Sequence, residues 1–129
     1  MYEVTVEGRF SAAHNLRDYQ GDCERLHGHN YRVRAAVRVE KLGTDGLGVD
    51  FRELKAALGA VLEELDHKYL NQDVDGFGEG GDNPTTENLA RFIYDCLAAG
   101  TLSNGALPHA VTVWESPGCS VTYREEDGG

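Results

Sequence analysis

A chain of 129 residues has the length of one domain, long enough to bury a core and too short for two domains of ordinary size. Twelve basic against 22 acidic residues give a formal charge of −10, which argues against a nucleic-acid-binding surface and against adhesion to anionic membranes. No apolar run approaches the roughly 18 residues of a membrane span, and "MYEVTVEGRF" lacks the basic start and apolar stretch of a signal peptide. A soluble, cytoplasmic protein is expected, with small molecules or its own copies as partners.

Residues 2–14 alternate, with Tyr2, Val4, Val6, Phe10, Ala12 and His14 on one face and Glu3, Thr5, Glu7, Arg9 and Ser11 on the other. That is the pattern of a half-buried strand whose apolar face ends at His14. Residues 27–40 alternate likewise: His27, His29, Tyr31, Val33, Ala35, Val37 and Val39 against Asn30, Arg32, Arg34, Arg38 and Glu40. The acid-rich outer face of the first strand suits the arginine-rich outer face of the second, as in an antiparallel pair. From Asp50 to Asp66 the period becomes helical, with Phe51, Leu54, Leu58, Val61, Leu62 and Leu65 inward, Asp50 as N-cap and Glu53 placed for a capping box.

The loop "DVDGFGEGGDN" separates this helix from a second, "PTTENLARFIYDCLAAG", with Leu89, Phe92, Ile93, Cys96 and Leu97 inward and Gly100 as its stop. Thr85 or Thr86 supplies the N-cap. "HAVTVWES" and "CSVTYRE" then form two strands joined by a turn at Pro117 and Gly118, with His109, Val111, Val113 and Glu115 on one face. The order ββααββ predicts one domain over residues 1–129 of α+β class, a four-stranded antiparallel sheet covered on one face by two helices. Self-assembly is one way to protect its edges.

Chemistry concentrates in "CERLHGH", residues 23–29. An HxH pair on a strand points both imidazoles to one side, and His14 on the partner strand could complete a three-nitrogen set that leaves tetrahedral zinc one open position. The plainer reading is two ordinary histidines near a strand start, but a buried His14 still needs a hydrogen-bond or metal partner. Cys23 could be a fourth ligand that closes the site, a thiol beside the metal with a depressed pKa, or an inert loop cysteine. Spacing does not separate these. With Cys96 and Cys119 it makes an odd count of three and no disulfide framework.

Asp66 and His67 stand at the end of the first helix, where a carboxylate can fix an imidazole tautomer. Adjacent residues do not face each other on a helix, so the pair works together only if the helix ends there; alone, His67 reads as a dipole-compensating cap. Glu115 falls on an apolar strand face, where a carboxylate is costly unless paired. It suits a ligand with two parallel N–H donors, unless it sits at the strand end in water.

In order, "FSAAH", "CERLHGHNY", "GVDFRELK", "LDHKYLN", "NPTTENLA" and "VWES" together resemble the 6-pyruvoyltetrahydropterin synthase family. The three residues between Cys23 and His27 suggest its bacterial 6-carboxytetrahydropterin synthase branch, which serves queuosine biosynthesis. The resemblance implies a T-fold in which sheets of several subunits close a barrel, two trimeric rings stack into a homohexamer, and active sites lie between subunits. It implies that His14, His27 and His29 bind Zn2+ and that Cys23 accepts a proton. Asp66 and His67 become relay partners from a neighbouring chain, and Glu115 anchors the pterin ring with Thr85 and Thr86 beside it. The implied reaction takes 7,8-dihydroneopterin triphosphate to 6-carboxy-5,6,7,8-tetrahydropterin, acetaldehyde and triphosphate. A pyruvoyl-forming or other pterin lyase, a non-catalytic zinc protein and a pterin-binding module remain the alternatives. The triphosphate sits badly with the net charge, and Arg9, Arg25 and Lys68 are the cations on offer. The acidic loop 73–82 has no role in this reading.

Overall fold

In the computed structural model, which describes residues 1–17 and 25–125, strands β1 (Tyr2–His14) and β2 (His27–Val39) pair antiparallel along their whole length. The register runs from Tyr2 opposite Val39 to His14 opposite His27. The alternation read from the sequence holds: Val6, Phe10, Ala12, Tyr31, Val33, Ala35, Val37 and Val39 are buried on the face turned to the helices. Phe10 and Tyr31, directly opposite each other, stack with ring centroids 4.6 Å apart. On the uncovered face Arg32 Nε donates to Glu7 Oε1 at 2.6 Å, the charge pairing anticipated between the two strands.

Helix α1 (Phe51–Glu63) starts at Asp50, whose side chain accepts from the Arg52 N–H, and buries Leu54, Leu58, Val61 and Leu62. Two expectations fail here. Phe51 is 64% exposed, because a helical side chain leans toward the N-terminus and that of the first residue overhangs the helix end. Glu53 does not close a capping box; its carboxylate accepts instead from the backbone N–H and hydroxyl of Ser103, at 2.9 and 2.7 Å. The helix also ends at Glu63, short of Asp66.

Beyond it the chain returns to the free edge of β1 as a short strand, β3 (Lys68–Tyr69), running parallel to β1. The sheet is therefore five-stranded and mixed, in the order β3-β1-β2-β4-β5, and not the four-stranded antiparallel sheet expected. A two-residue strand carries no periodicity, so nothing in the sequence announces it. One turn of helix, α2 (Leu70–Asp73), follows and buries Leu70.

Helix α3 (Thr86–Ala99) is capped by Thr85, whose hydroxyl accepts from the Asn88 N–H at 3.1 Å. Its buried face is Leu89, Ala90, Ile93, Tyr94 and Leu97. Phe92 and Cys96, expected inward, lie at the margin of the core. Tyr94 takes an inward place because its hydroxyl reaches the Pro108 carbonyl, at 3.2 Å.

Strand β4 (Leu107–Ser116) pairs with β2, and β5 (Cys119–Tyr123) returns along β4 after the turn at Pro117 and Gly118. The β2–β4 register slips between Ala36–Ala110 and Val37–Pro108, leaving His109 as an extra residue. This bulge buries Pro108 and sends His109 to the uncovered face, where its Nε2 lies 2.8 Å from Glu3 Oε1. Uninterrupted alternation had placed His109 with Val111. Among the described residues no helix is long and apolar enough to cross a membrane.

Leu58 of α1, 1% exposed, packs against β1 at Gly8. We expect Leu58→Ala to lower the free energy of unfolding by about 2–5 kcal/mol in urea titrations. A loss under about 1 kcal/mol would mean that the helix is not clamped to the sheet as described.

Candidate metal and ligand site

His14 ends β1, His27 opposite it begins β2, and His29 follows on the same face of β2. One ligand atom from each lies within 4.8 Å of the others, so the three can hold a metal ion. The proton positions follow from the partners. His14 Nδ1 lies 2.8 Å from the Pro84 carbonyl and His27 Nδ1 lies 2.7 Å from the Arg25 carbonyl. A carbonyl only accepts, so each ring carries a proton on Nδ1, which in the neutral imidazole leaves Nε2 as the free lone pair. Those two nitrogens stand 3.1 Å apart.

Two facing lone pairs repel unless a cation lies between them. Nitrogens about 2.0–2.1 Å from a tetrahedral zinc are roughly 3.3 Å from one another, close to the spacing here. His29 Nε2 is buried without a hydrogen-bond partner; Glu115 Oε1 is 3.2 Å away but outside hydrogen-bond geometry. The donor set therefore fits a metal on its own chemistry.

Burial is the main cause that lowers the pKa of His14 and of His29, which keeps both neutral and able to ligate. The Pro84 bond opposes it at His14, and the Glu115 carboxylate opposes it at His29. Beneath them Tyr31 is fully buried with its hydroxyl 3.4 Å from His14 Nδ1. Burial and then Glu115 push this phenol up, so it stays protonated.

Glu115 reaches the cluster through a second irregularity, where β4 carries two residues against one of β5 between the pairs Trp114–Ser120 and Ser116–Cys119. Its Oε1 comes 3.2 Å from His29 Nε2 and 3.5 Å from His14 Nε2, and the side chain keeps 34% exposure. It is thus turned toward the imidazoles while one side remains open to a ligand.

The profile of the family described as 6-pyruvoyl tetrahydropterin synthase matches residues 3–126. The chain belongs to this family. It is 35% identical to a 6-carboxy-5,6,7,8-tetrahydropterin synthase of Synechocystis, over 95% of this chain and 93% of that one. With the enzyme of the same name from Bacillus subtilis the identity is 36%, over 99% and 88%. The solved structure of Caenorhabditis elegans 6-pyruvoyl tetrahydropterin synthase superposes with a TM-score of 0.82 at 32% identity, covering 98% of each chain. The α+β architecture is the T-fold of this tetrahydropterin synthase family, and relatives of both names match at similar identity.

Asp66 and His67 form a separate group at the edge of β1. Because α1 has ended, the backbone of His67 can take a left-handed turn, φ 58°, that brings its Nδ1 to 3.0 Å from Asp66 Oδ2. The pair grips Ser11 from both sides: Asp66 Oδ1 accepts from the Ser11 N–H at 2.8 Å, and the His67 N–H donates to the Ser11 carbonyl at 2.6 Å. The Ser11 bond first, and His67 after it, hold the Asp66 carboxyl below the usual carboxylate range. His67 is 83% exposed and borders an open depression of about 620 Å³ that Ser11, Ala12, Gly28, His29 and Asn30 also line. Ser11 Oγ and Asn30 Oδ1 hydrogen-bond at 2.6 Å on the uncovered face, while the dyad holds the Ser11 backbone at the strand edge.

Thr85 is committed to its cap, and Thr86, the next residue, opens α3; both are half-buried next to Pro84. Cys23 lies outside the described residues. Sequence reasoning missed the Pro84 carbonyl as the group that orients His14, since a backbone acceptor leaves no mark in residue type.

In metal-free protein the lowered pKa values of His14 and His29 fix the sign of a pH effect. The unfolded chain takes up protons first, so stability is complete above about pH 6.5 and falls as the pH drops through the folded values. We expect urea midpoints of the chelated protein to decline between about pH 7 and 5, with a shallower decline in His14→Asn. Equal slopes would contradict the burial assigned to His14.

Proposed function

We propose that this chain, a pterin side-chain lyase by its family and its relatives' names, is zinc-dependent and forms 6-carboxy-5,6,7,8-tetrahydropterin from 7,8-dihydroneopterin triphosphate. One water is consumed, acetaldehyde and triphosphate are the other products, and the carboxypterin is a queuosine precursor. The observation that carries the metal is the pair of Nε2 atoms facing each other at 3.1 Å on rings whose Nδ1 atoms are bonded to carbonyls, with the orphaned His29 nitrogen beside them. Bound there, zinc supplies Lewis-acid polarisation of the substrate's side-chain oxygens.

The chain's own residues do the rest. Glu115 receives the ring's amino and imino hydrogens, which places the pterin side chain over the imidazoles; Thr85 and Thr86, next to Pro84, flank it. Cys23, four residues before His27, takes a proton from the side chain and the Asp66–His67 dyad returns one, Asp66 fixing the imidazole tautomer. The exposure of His67 and its place at the sheet edge favour service to the site of a neighbouring subunit in a homohexamer of two stacked trimers. The short edge strands β3 and β5 are where the sheets of such an assembly would meet.

Incubation of the zinc-loaded protein with dihydroneopterin triphosphate should yield the 6-carboxy product and an equivalent of acetaldehyde, identified by mass spectrometry. Cys23→Ala should remain folded and zinc-loaded while turnover falls by about 10²–10⁴-fold. Appearance of 6-pyruvoyltetrahydropterin without acetaldehyde would move the chain to the pyruvoyl branch. Zinc loss in Cys23→Ala would point to a closed structural site.

A further inference from the structure

Three residues beyond His14, Arg17 makes more polar contacts with one loop than a surface arginine needs. Its guanidinium donates to the carbonyls of Phe77, Asp82 and Gly81, at 2.8, 2.6 and 3.3 Å. Its backbone is gripped on both sides by the Asn83 side chain, which accepts from the Arg17 N–H at 2.9 Å and donates to the Arg17 carbonyl at 3.1 Å. Asn83 is in turn tied to the start of α3, its carbonyl accepting from Asn88 Nδ2 and from the Thr85 N–H, both at 2.8 Å. The next residue is Pro84, whose carbonyl holds His14 Nδ1.

The glycine-rich loop is folded tightly enough to transmit this grip. Gly81 N–H donates to Gly78 and Asp82 N–H to Gly76, at 2.8 and 2.7 Å, and a Cβ at Gly81 would run into the Gly76 carbonyl oxygen. Arg17 and His14 thus seize the same short segment from the same strand end, one at residues 81–83 and the other at 84.

We propose that Arg17 is a positioning residue for the metal centre: by clamping the loop from Phe77 to Asn83 it fixes the Pro84 carbonyl, and through it the tautomer and orientation of His14. The loop's acidic side chains are incidental to this role; its backbone carbonyls are what Arg17 uses. A planar guanidinium with several donors can hold three carbonyls at once, whereas a lysine is a single point of charge. The inference rests on the reading of the three histidines as metal ligands.

The test is zinc affinity of the full-length protein, measured by chelator competition, with the visible spectrum of the cobalt(II)-substituted form as a second readout. Wild type is measured first; failure to bind either metal would sink the metal reading itself. Given wild-type binding, Arg17→Ala should weaken zinc by about tenfold or more, within the range seen when groups that orient a ligand are removed. The cobalt bands should shift, and Arg17→Lys should recover only part of both changes. Gly81→Ala, which distorts the loop with Arg17 intact, should do the same, and it serves if Arg17→Ala does not fold. If both variants lose thermal stability yet keep wild-type zinc affinity and an unchanged cobalt spectrum, the clamp is only structural and the proposal is overturned.

Discussion

Everything at the candidate site depends on the register of the β1–β2 ladder. Side chains alternate with a period of two, so a slip of one residue would send His27 and His29 to the uncovered face and leave His14 alone. The ladder resists that slip because the same shift would expose Tyr31, Val33, Ala35 and Val37, all completely buried, and would break the Phe10–Tyr31 stack. The core that stabilises the sheet and the imidazoles that crown it are consecutive residues of one stripe. His14 opposite His27 is the last pair of a register set by the pairs before it.

The other candidate groups are placed where regular structure breaks. The β4–β5 irregularity turns Glu115 toward the imidazoles, and the left-handed backbone at His67 brings its ring back onto Asp66. A non-glycine residue at positive φ is uncommon, and here its cost is offset by the bonds that Asp66 and His67 make to both backbone groups of Ser11. The loop before α3 has no regular structure, yet its carbonyls hold Arg17 and its last residue but one holds His14.

How much of this the sequence disclosed follows from what leaves a periodic trace. Strands β1 and β2, the buried faces of both long helices and the convergence of His14, His27 and His29 are visible because hydrophobic alternation marks the face of each side chain. His109 was misplaced because a bulge of one residue inverts the phase, and its one mark in "LPHAV" is Pro108, a residue that sheets admit at edges and bulges. β3 is too short for a pattern, and Glu53 satisfied a local capping motif while its actual partner, Ser103, lies fifty residues away. The Pro84 carbonyl and the Arg17 clamp are backbone acceptors met by distant donors, and residue type says nothing of them. The roles proposed for Cys23 and for the Asp66–His67 dyad rest on family resemblance, since spacing leaves them open.

The central claim is that three histidine nitrogens from two paired strands hold the metal and leave Cys23 free. X-ray absorption spectroscopy at the zinc edge, on protein loaded with one equivalent, addresses it directly. The account requires a first shell of nitrogen and oxygen alone, fitted by three imidazoles and one exchangeable light ligand at about 2.0–2.1 Å. A sulfur scatterer at about 2.3 Å would contradict it, because Cys23 would then be the ligand that closes the site.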